Sequence, residues 1–263
     1  MTHIIAIANA KGGVAKTTTT LSLGASLAEM GKKVLLIDLD PHANLTLSLG
    51  FKPATFERTV AGLLLGNEDL NGAVIPTNVR DVELVPSNHE LNMAEPHLLV
   101  RADYMMLLNT ALNKDSRSYD TIILDCPPTT GTLTMNALSA ADLLIIPTQP
   151  EYFSAHALRD MLNLILAIRQ ENNPKLRYRI LLTMVDKRNR IHRSLAEQIR
   201  TAFNEAIYDI EIEIDTRLRE SAILGQPINQ YAPESRAAKQ YRALAEETGH
   251  YSNELNRRYT TTP

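Results

Sequence analysis

The chain has 263 residues, a formal net charge of −3, 44% hydrophobic residues and 22% charged residues, the balance of an ordinary globular protein. That composition argues against a disordered chain or a collagen-like repeat, and no run approaches the roughly 18 consecutive apolar residues of a transmembrane helix. A single cysteine, Cys126, excludes an internal disulfide framework and any zinc or iron–sulfur site built from several cysteines of one chain, so the expectation is a reduced, cytoplasmic protein.

Residues 1–10 are apolar and end in Ala8-Asn9-Ala10, which imitates a signal-peptidase site. A secretory signal needs a basic leading region and a longer apolar run, so this segment reads as a buried strand over 4–8. Further runs rich in Ile, Val and Leu predict strands over 34–37, 82–85, 121–124, 143–146 and 180–184. None alternates strictly, as expected of parallel strands covered on both faces. Helical patterns span 17–30, stopped by Gly31, and 154–170, stopped before Asn173-Pro174. Residues 207–214 alternate Ile or Tyr with acidic residues, the pattern of a strand with one wet face. Strands alternating with helices imply an α/β fold: one domain over 1–263, a mostly parallel twisted sheet with helices on both faces and a short polar tail from 251.

Between the first strand and the first helix lies Lys11-Gly12-Gly13-Val14-Ala15-Lys16-Thr17-Thr18. A glycine-rich turn there lets backbone N–H groups approach phosphate oxygens, and the helix N-terminus adds its positive dipole end. Lys16 supplies a point charge to β- and γ-phosphates, and the Thr17 hydroxyl a ligand for Mg²⁺. The standard G-x-x-x-x-G-K-[ST] pattern is not met, because Ala10 and Ala15 stand at its glycine positions. The deviant form K-G-G-x-x-K-T-T is met, with Lys11 as an additional lysine. Ala15 is the smallest replacement for glycine, so the loop can keep its shape. Two apolar runs end in carboxylates, Asp38 and Asp40 after the second strand and Asp125 after 121–124. Carboxylates at the C-terminal ends of parallel strands face the ligand crevice, which makes Asp125 a candidate for the Mg²⁺ shell.

These three segments resemble the deviant Walker A, Walker A′ and Walker B boxes of the ParA/MinD ATPases. Pro147-Thr148-Gln149-Pro150-Glu151-Tyr152-Phe153, Gly225-Gln226-Pro227-Ile228 and Glu234-Ser235-Arg236-Ala237-Ala238-Lys239-Gln240-Tyr241 resemble the ParA (Soj-type) branch. The resemblance covers residues 4 to about 244, and the early loop suggests the small form without an N-terminal helix-turn-helix. It implies a P-loop fold and two subunits that sandwich two ATP molecules, Lys11 reaching the partner's phosphates and Asp40 orienting the attacking water. It also implies Asp38 in the Mg²⁺ shell, residues 127–135 as a second switch, and a nucleoside cavity at 183–186 and 213–216. Met184, Glu213 and Asp215 are the candidate base contacts, although family members commonly show Pro and Asn where this chain has Glu213 and Asp215.

Residues 175–258 carry fifteen Lys or Arg against twelve Asp or Glu, whereas the rest of the chain carries twelve against eighteen. The basic residues include Lys187, Arg188, Arg190, His192 and Arg193, followed by Arg217, Arg219, Arg236, Lys239 and Arg242. Basic residues on one face attract DNA phosphate without reading sequence. Arg190, Arg193, Arg217, Arg219 and Arg236 are therefore the candidate DNA contacts, the resemblance adding weight to Arg193, Arg217, Arg219 and Arg236. Dimerisation would join two such patches. The expectation is a nucleoid-associated positioning ATPase, released when a ParB-like or other cargo adaptor stimulates hydrolysis, with plasmid, chromosome and carboxysome all open as cargo. A MinD-like membrane switch would need an amphipathic anchor, and the tail after Tyr251 offers only Leu255 and Tyr259 as sizeable apolar residues. A small-molecule ligase on the same fold also stays open.

Overall fold

A computed structural model describes residues 2–115 and 118–260. β1 (His3–Ile7) leads through the glycine-rich loop into α1 (Lys16–Glu29). β2 (Val34–Asp38) is followed by the short helices α2 (Asn44–Ser48), α3 (Val60–Leu65) and α4 (Leu70–Ala73). Next come β3 (Ile75–Pro76), β4 (Val82–Val85), α5 (Glu90–Leu99) and α6 (Leu107–Asp115). β5 (Thr121–Asp125), α7 (Thr132–Ala140), β6 (Leu143–Thr148), α8 (Ser154–Glu171) and β7 (Arg177–Leu182) then alternate. The chain closes with α9 (Arg190–Phe203), α10 (Arg217–Ile223), α11 (Ile228–Tyr231) and α12 (Arg236–Thr260).

The strands form one sheet in the order β3-β4-β2-β5-β1-β6-β7, parallel except where β3 meets β4. Ile5, Ile7, Val34, Leu36, Ile123, Leu143 and Ile145 face one apolar layer, shared with α1 and α12. Ala6, Leu35, Ile37, Ile122, Leu124, Leu144 and Ile146 face the other, under α3 and α5 to α8. Burial on both faces is why these strands read as unbroken apolar runs. The crossovers bring the C-terminal ends of β1, β2 and β5 to one edge of the sheet, with Ile7 and Asp38 both in register with Asp125.

Apart from 207–214, the predicted strands and helices are present, most within a residue or two of their expected ends. The run expected over 180–184 starts earlier and ends sooner, as β7. Residues 207–214 are not a strand. They touch the outer edge of β7 and the residue run after it only through isolated bridges, Ile180 with Ile207 and Val185 with Glu213. Side chains interrupt the ladder: Glu247 accepts from the N–H groups of Asp209 and Ile210, and Arg179 donates to the carbonyl of Ile207. The polar tail expected from residue 251 is helical as far as Thr260, and residues 261–263 lie outside the described residues.

Two glycines fix how the loop after α2 meets the loop after α10. Gly225 has φ +67°, and a Cβ there would stand 2.7 Å from the Gly50 Cα and 2.9 Å from its nitrogen. Backbone cannot yield as a flexible side chain can. Gly225→Ala is expected to cost about 2–4 kcal/mol, from left-handed strain plus overpacking. Urea unfolding of the variant against wild type measures it.

Candidate functional site

The loop after β1 is held from below before it meets any ligand. Asn9, buried at the end of β1, donates through its amide to the carbonyl of Pro147 at 2.7 Å and accepts from the Lys11 N–H at 2.9 Å. Thr183 donates to the carbonyl of Val14 at 3.0 Å, tying the loop to the end of β7. Gly13 (φ +72°) and Ala15 (φ +67°) both turn through the left-handed region. For alanine that conformation costs roughly 1–2 kcal/mol, so the loop does keep its glycine-like shape, under strain. Lys16 is 8% exposed and donates to the carbonyls of Asn9 at 3.2 Å and Lys11 at 3.1 Å. Desolvation holds its ammonium below the usual lysine range, against the attraction of Asp125. Gly12, Val14, Lys16, Thr17 and Thr18 complete a cradle at the N-terminus of the fourteen-residue α1.

The strand ends supply the acids. Asp38 and Asp125 are register partners on β2 and β5, and both are fully buried. Asp125 accepts from the Thr17 hydroxyl at 2.7 Å and the Thr20 hydroxyl at 3.0 Å. Asp38 accepts from the N–H and hydroxyl of Thr46, at 2.9 and 2.8 Å, and from the Asp40 N–H at 3.1 Å. Asp40 is buried at the following turn and accepts from both the N–H and the ring nitrogen Nδ1 of His42 at 2.9 Å. Burial pushes the carboxyls of both Asp38 and Asp125 above the ordinary range, and for Asp125 the neighbouring Asp38 adds to it. Lys11 turns away from this cluster and pairs with Glu151.

A separate cavity of about 330 Å³ opens beside the loop, lined by Gly13, Ala15, Thr18, Met184 and residues 212–215, with Leu218, Arg219 and Ala222. The expected base contacts Met184, Glu213 and Asp215 are therefore gathered beside the phosphate loop. Arg219, expected on the DNA face, also lines this cavity. Arg190 and Arg193 lie exposed on α9, Arg217 on α10 and Arg236 at the start of α12. Arg193 donates to the carbonyls of Lys187 and Arg188, and Arg236 pairs with Glu213.

Asn9, Thr20, His42, Thr46 and Glu151 also belong to the site, and no motif marks them. Thr20 was accessible from spacing, since it lies one helical turn from Thr17 and shares its face. Asn9, His42 and Glu151 act through turns or across more than a hundred residues, and Thr46 reaches back from α2 to Asp38, which no local pattern records.

A family model described as an AAA domain matches residues 2–178. The sporulation initiation inhibitor protein Soj of Bacillus subtilis is 39% identical over 94% of this chain and 98% of its own. The chain belongs to the ParA/MinD family. The chromosome partitioning protein ParA of Myxococcus xanthus is 38% identical over 93% of this chain and 87% of its own. Among solved structures, cobyrinic acid a,c-diamide synthase from Mycobacterium smegmatis is 34% identical. It superposes with a TM-score of 0.84 over 99% of this chain and 97% of that one, and holds an ATP analogue and magnesium. This ParA/MinD member is an ATPase of the partition and positioning class, with ATP and Mg²⁺ as its cofactors.

The residues fit those cofactors. A buried ammonium with only carbonyl partners matches phosphate oxygens, and paired buried carboxylates beside a threonine hydroxyl match a hard divalent cation. Without a cation the two acids retain protons that the unfolded chain has already lost. Stability of the metal-free protein is therefore expected to fall as pH rises from about 4 to about 8. Thermal melts in EDTA check this, and Asp125→Asn is expected to flatten the dependence.

Proposed function

We propose that the ATP-bound protein forms a sandwich dimer that holds DNA non-specifically and is released by hydrolysis, so positioning a plasmid, a chromosome or another cargo. The observation that supports it is the single assembly in which Thr17, at the end of the phosphate loop, bonds Asp125 and the strand register sets Asp38 beside that acid. Whole-length likeness to Soj and to a chromosome partitioning protein supports the cargo class.

In this reading, loop N–H groups and the α1 dipole receive the phosphates, and Lys16 carries charge against the β- and γ-oxygens. Thr17, Asp38 and Asp125 would hold Mg²⁺, which would supply positive charge against the phosphate oxygens. Asp40 orients the attacking water. Lys11 reaches the partner subunit's phosphates, exchanging Glu151 for a phosphate oxygen. Hydrolysis thereby waits on assembly, as with a cation supplied in trans. Glu213, Asp215 and Met184 surround the base. Arg190, Arg193, Arg217 and Arg219 face DNA, Arg236 stands beside them paired with Glu213, and the dimer doubles their number. A ParB-like or cargo adaptor stimulates turnover, and the nucleoid is the site of action. Among the described residues no helix is long and apolar enough to cross a membrane.

The likeness to a diamide synthase raises a second reading, ATP-driven amide formation. Where such chemistry takes ammonia from glutamine it uses an accessible thiolate, and Cys126 is 1% exposed with its thiol pushed up by burial. That geometry favours the partition reading for this chain.

Asp40→Ala is expected to keep ATP binding and lower turnover at least about a hundredfold, read by phosphate release beside a fluorescent-nucleotide titration. Normal turnover would remove Asp40 from the mechanism. Wild type is expected to bind unrelated DNA with ATP and not with ADP. Arg193→Glu is expected to weaken that binding and leave ATP affinity intact. Gel shifts at two salt concentrations decide, and binding indifferent to nucleotide would overturn the switch.

A further inference from the structure

The run from Ile207 to Ile214 threads between the basic residues that precede α9 and those that open α12, and it carries two acids inward. Glu211 lies 3.1 Å from the Lys187 ammonium and 3.1 Å from the Arg200 guanidinium. Glu213 lies 3.2 Å from the same Lys187 and 2.9 Å from Arg236, and accepts from the Gln240 amide at 3.0 Å. Its side chain is 12% exposed, against 57% for Lys187 and 53% for Arg236. The acid thus sits beneath two cations that reach the surface. The arrangement is pinned: the Glu213 N–H donates to Gln240 at 3.1 Å, and Arg236 donates to the Ile214 carbonyl at 2.8 Å.

We propose that Glu213 is an internal counter-ion that sets how many phosphates the basic face can engage. The inference rests on the DNA-binding reading above and adds a control to it. A carboxylate in contact with both Lys187 and Arg236 competes with DNA for them, so each phosphate they take must displace it. The guanidinium groups of Arg190, Arg217 and Arg219 have no acidic partner among the described residues, and that of Arg193 is held by carbonyls alone. Those four meet phosphate regardless of Glu213, whereas Lys187 and Arg236 are held back. Glu213 also walls the cavity beside Gly13, Ala15 and Met184. One carboxylate therefore stands where the nucleoside cavity and the basic face meet.

Salt dependence of DNA binding counts engaged phosphates, at about −0.9 in log–log slope for each. With saturating ATP, Glu213→Gln is expected to bind DNA roughly tenfold more tightly at low salt. The slope is expected to steepen by about two, one for the released Arg236 of each subunit, since Lys187 keeps Glu211. Adding Arg236→Ala to that variant is expected to remove the gain. In a wild-type background Arg236→Ala is expected to leave the slope nearly unchanged, which decides the matter even if Glu213→Gln fails to fold. A slope that becomes shallower by about two in that background overturns the inference. So does a wild-type slope in a folded, ATP-binding Glu213→Gln. Failure of both wild type and Glu213→Gln to bind DNA overturns the DNA reading itself, and the inference with it.

Discussion

Parallel pairing of β2 with β5 sets the carboxylates of Asp38 and Asp125 side by side in the protein interior, and the rest of the site is arranged around that adjacency. Two acids so placed repel each other and lose their water, so neighbouring hydroxyls and N–H groups turn onto them. Thr17 and Thr20 lean from α1 onto Asp125, while Thr46 leans from α2 onto Asp38. Docking of both helices on the sheet and satisfaction of the acids are thus one event. The phosphate loop inherits its position from the same contacts, because Thr17 begins the turn that follows Lys16.

Around this centre the backbone is held away from its preferred conformations. Ala15, Ala43 and Met184 all have positive φ, and they lie in the phosphate loop, in the turn after Asp40 and in the wall of the cavity beside that loop. Left-handed strain at non-glycine residues persists only where surroundings over-determine it. Here Asn9, Thr183 and the Asp40 turn do so. A site shaped in advance spends less of the nucleotide's binding energy on ordering its own loops.

The sheet and the phosphate loop were legible in the sequence because their causes are local. Buried parallel strands declare themselves as apolar runs, and a glycine-rich turn with two lysines declares its chemistry by spacing. The stretch from α2 to α6 was not legible beyond β4, since helices of four to ten residues give too few turns for a clear period. Residues 207–214 misled for a different reason. Their acidic residues alternate with apolar ones because Glu211 and Glu213 answer Lys187, Arg200 and Arg236, not because one face meets water. His42 and Glu151 were invisible as partners, because a turn in one case and a separation of 140 residues in the other lie between them and Asp40 and Lys11.

The same irregular run has a consequence for how copies of this chain can meet. An open sheet offers its outermost strands as templates for further strands. On one side the outermost strand is β3, only two residues long, and Pro76 has no N–H to give. On the other, residues 207–214 lie over β7 with their own hydrogen-bonding groups capped by Glu247 and Arg179. Sheet extension is closed at both margins. Crowding many copies onto one surface therefore does not invite them to fuse edge to edge, and reversible contact is left to faces built from side chains.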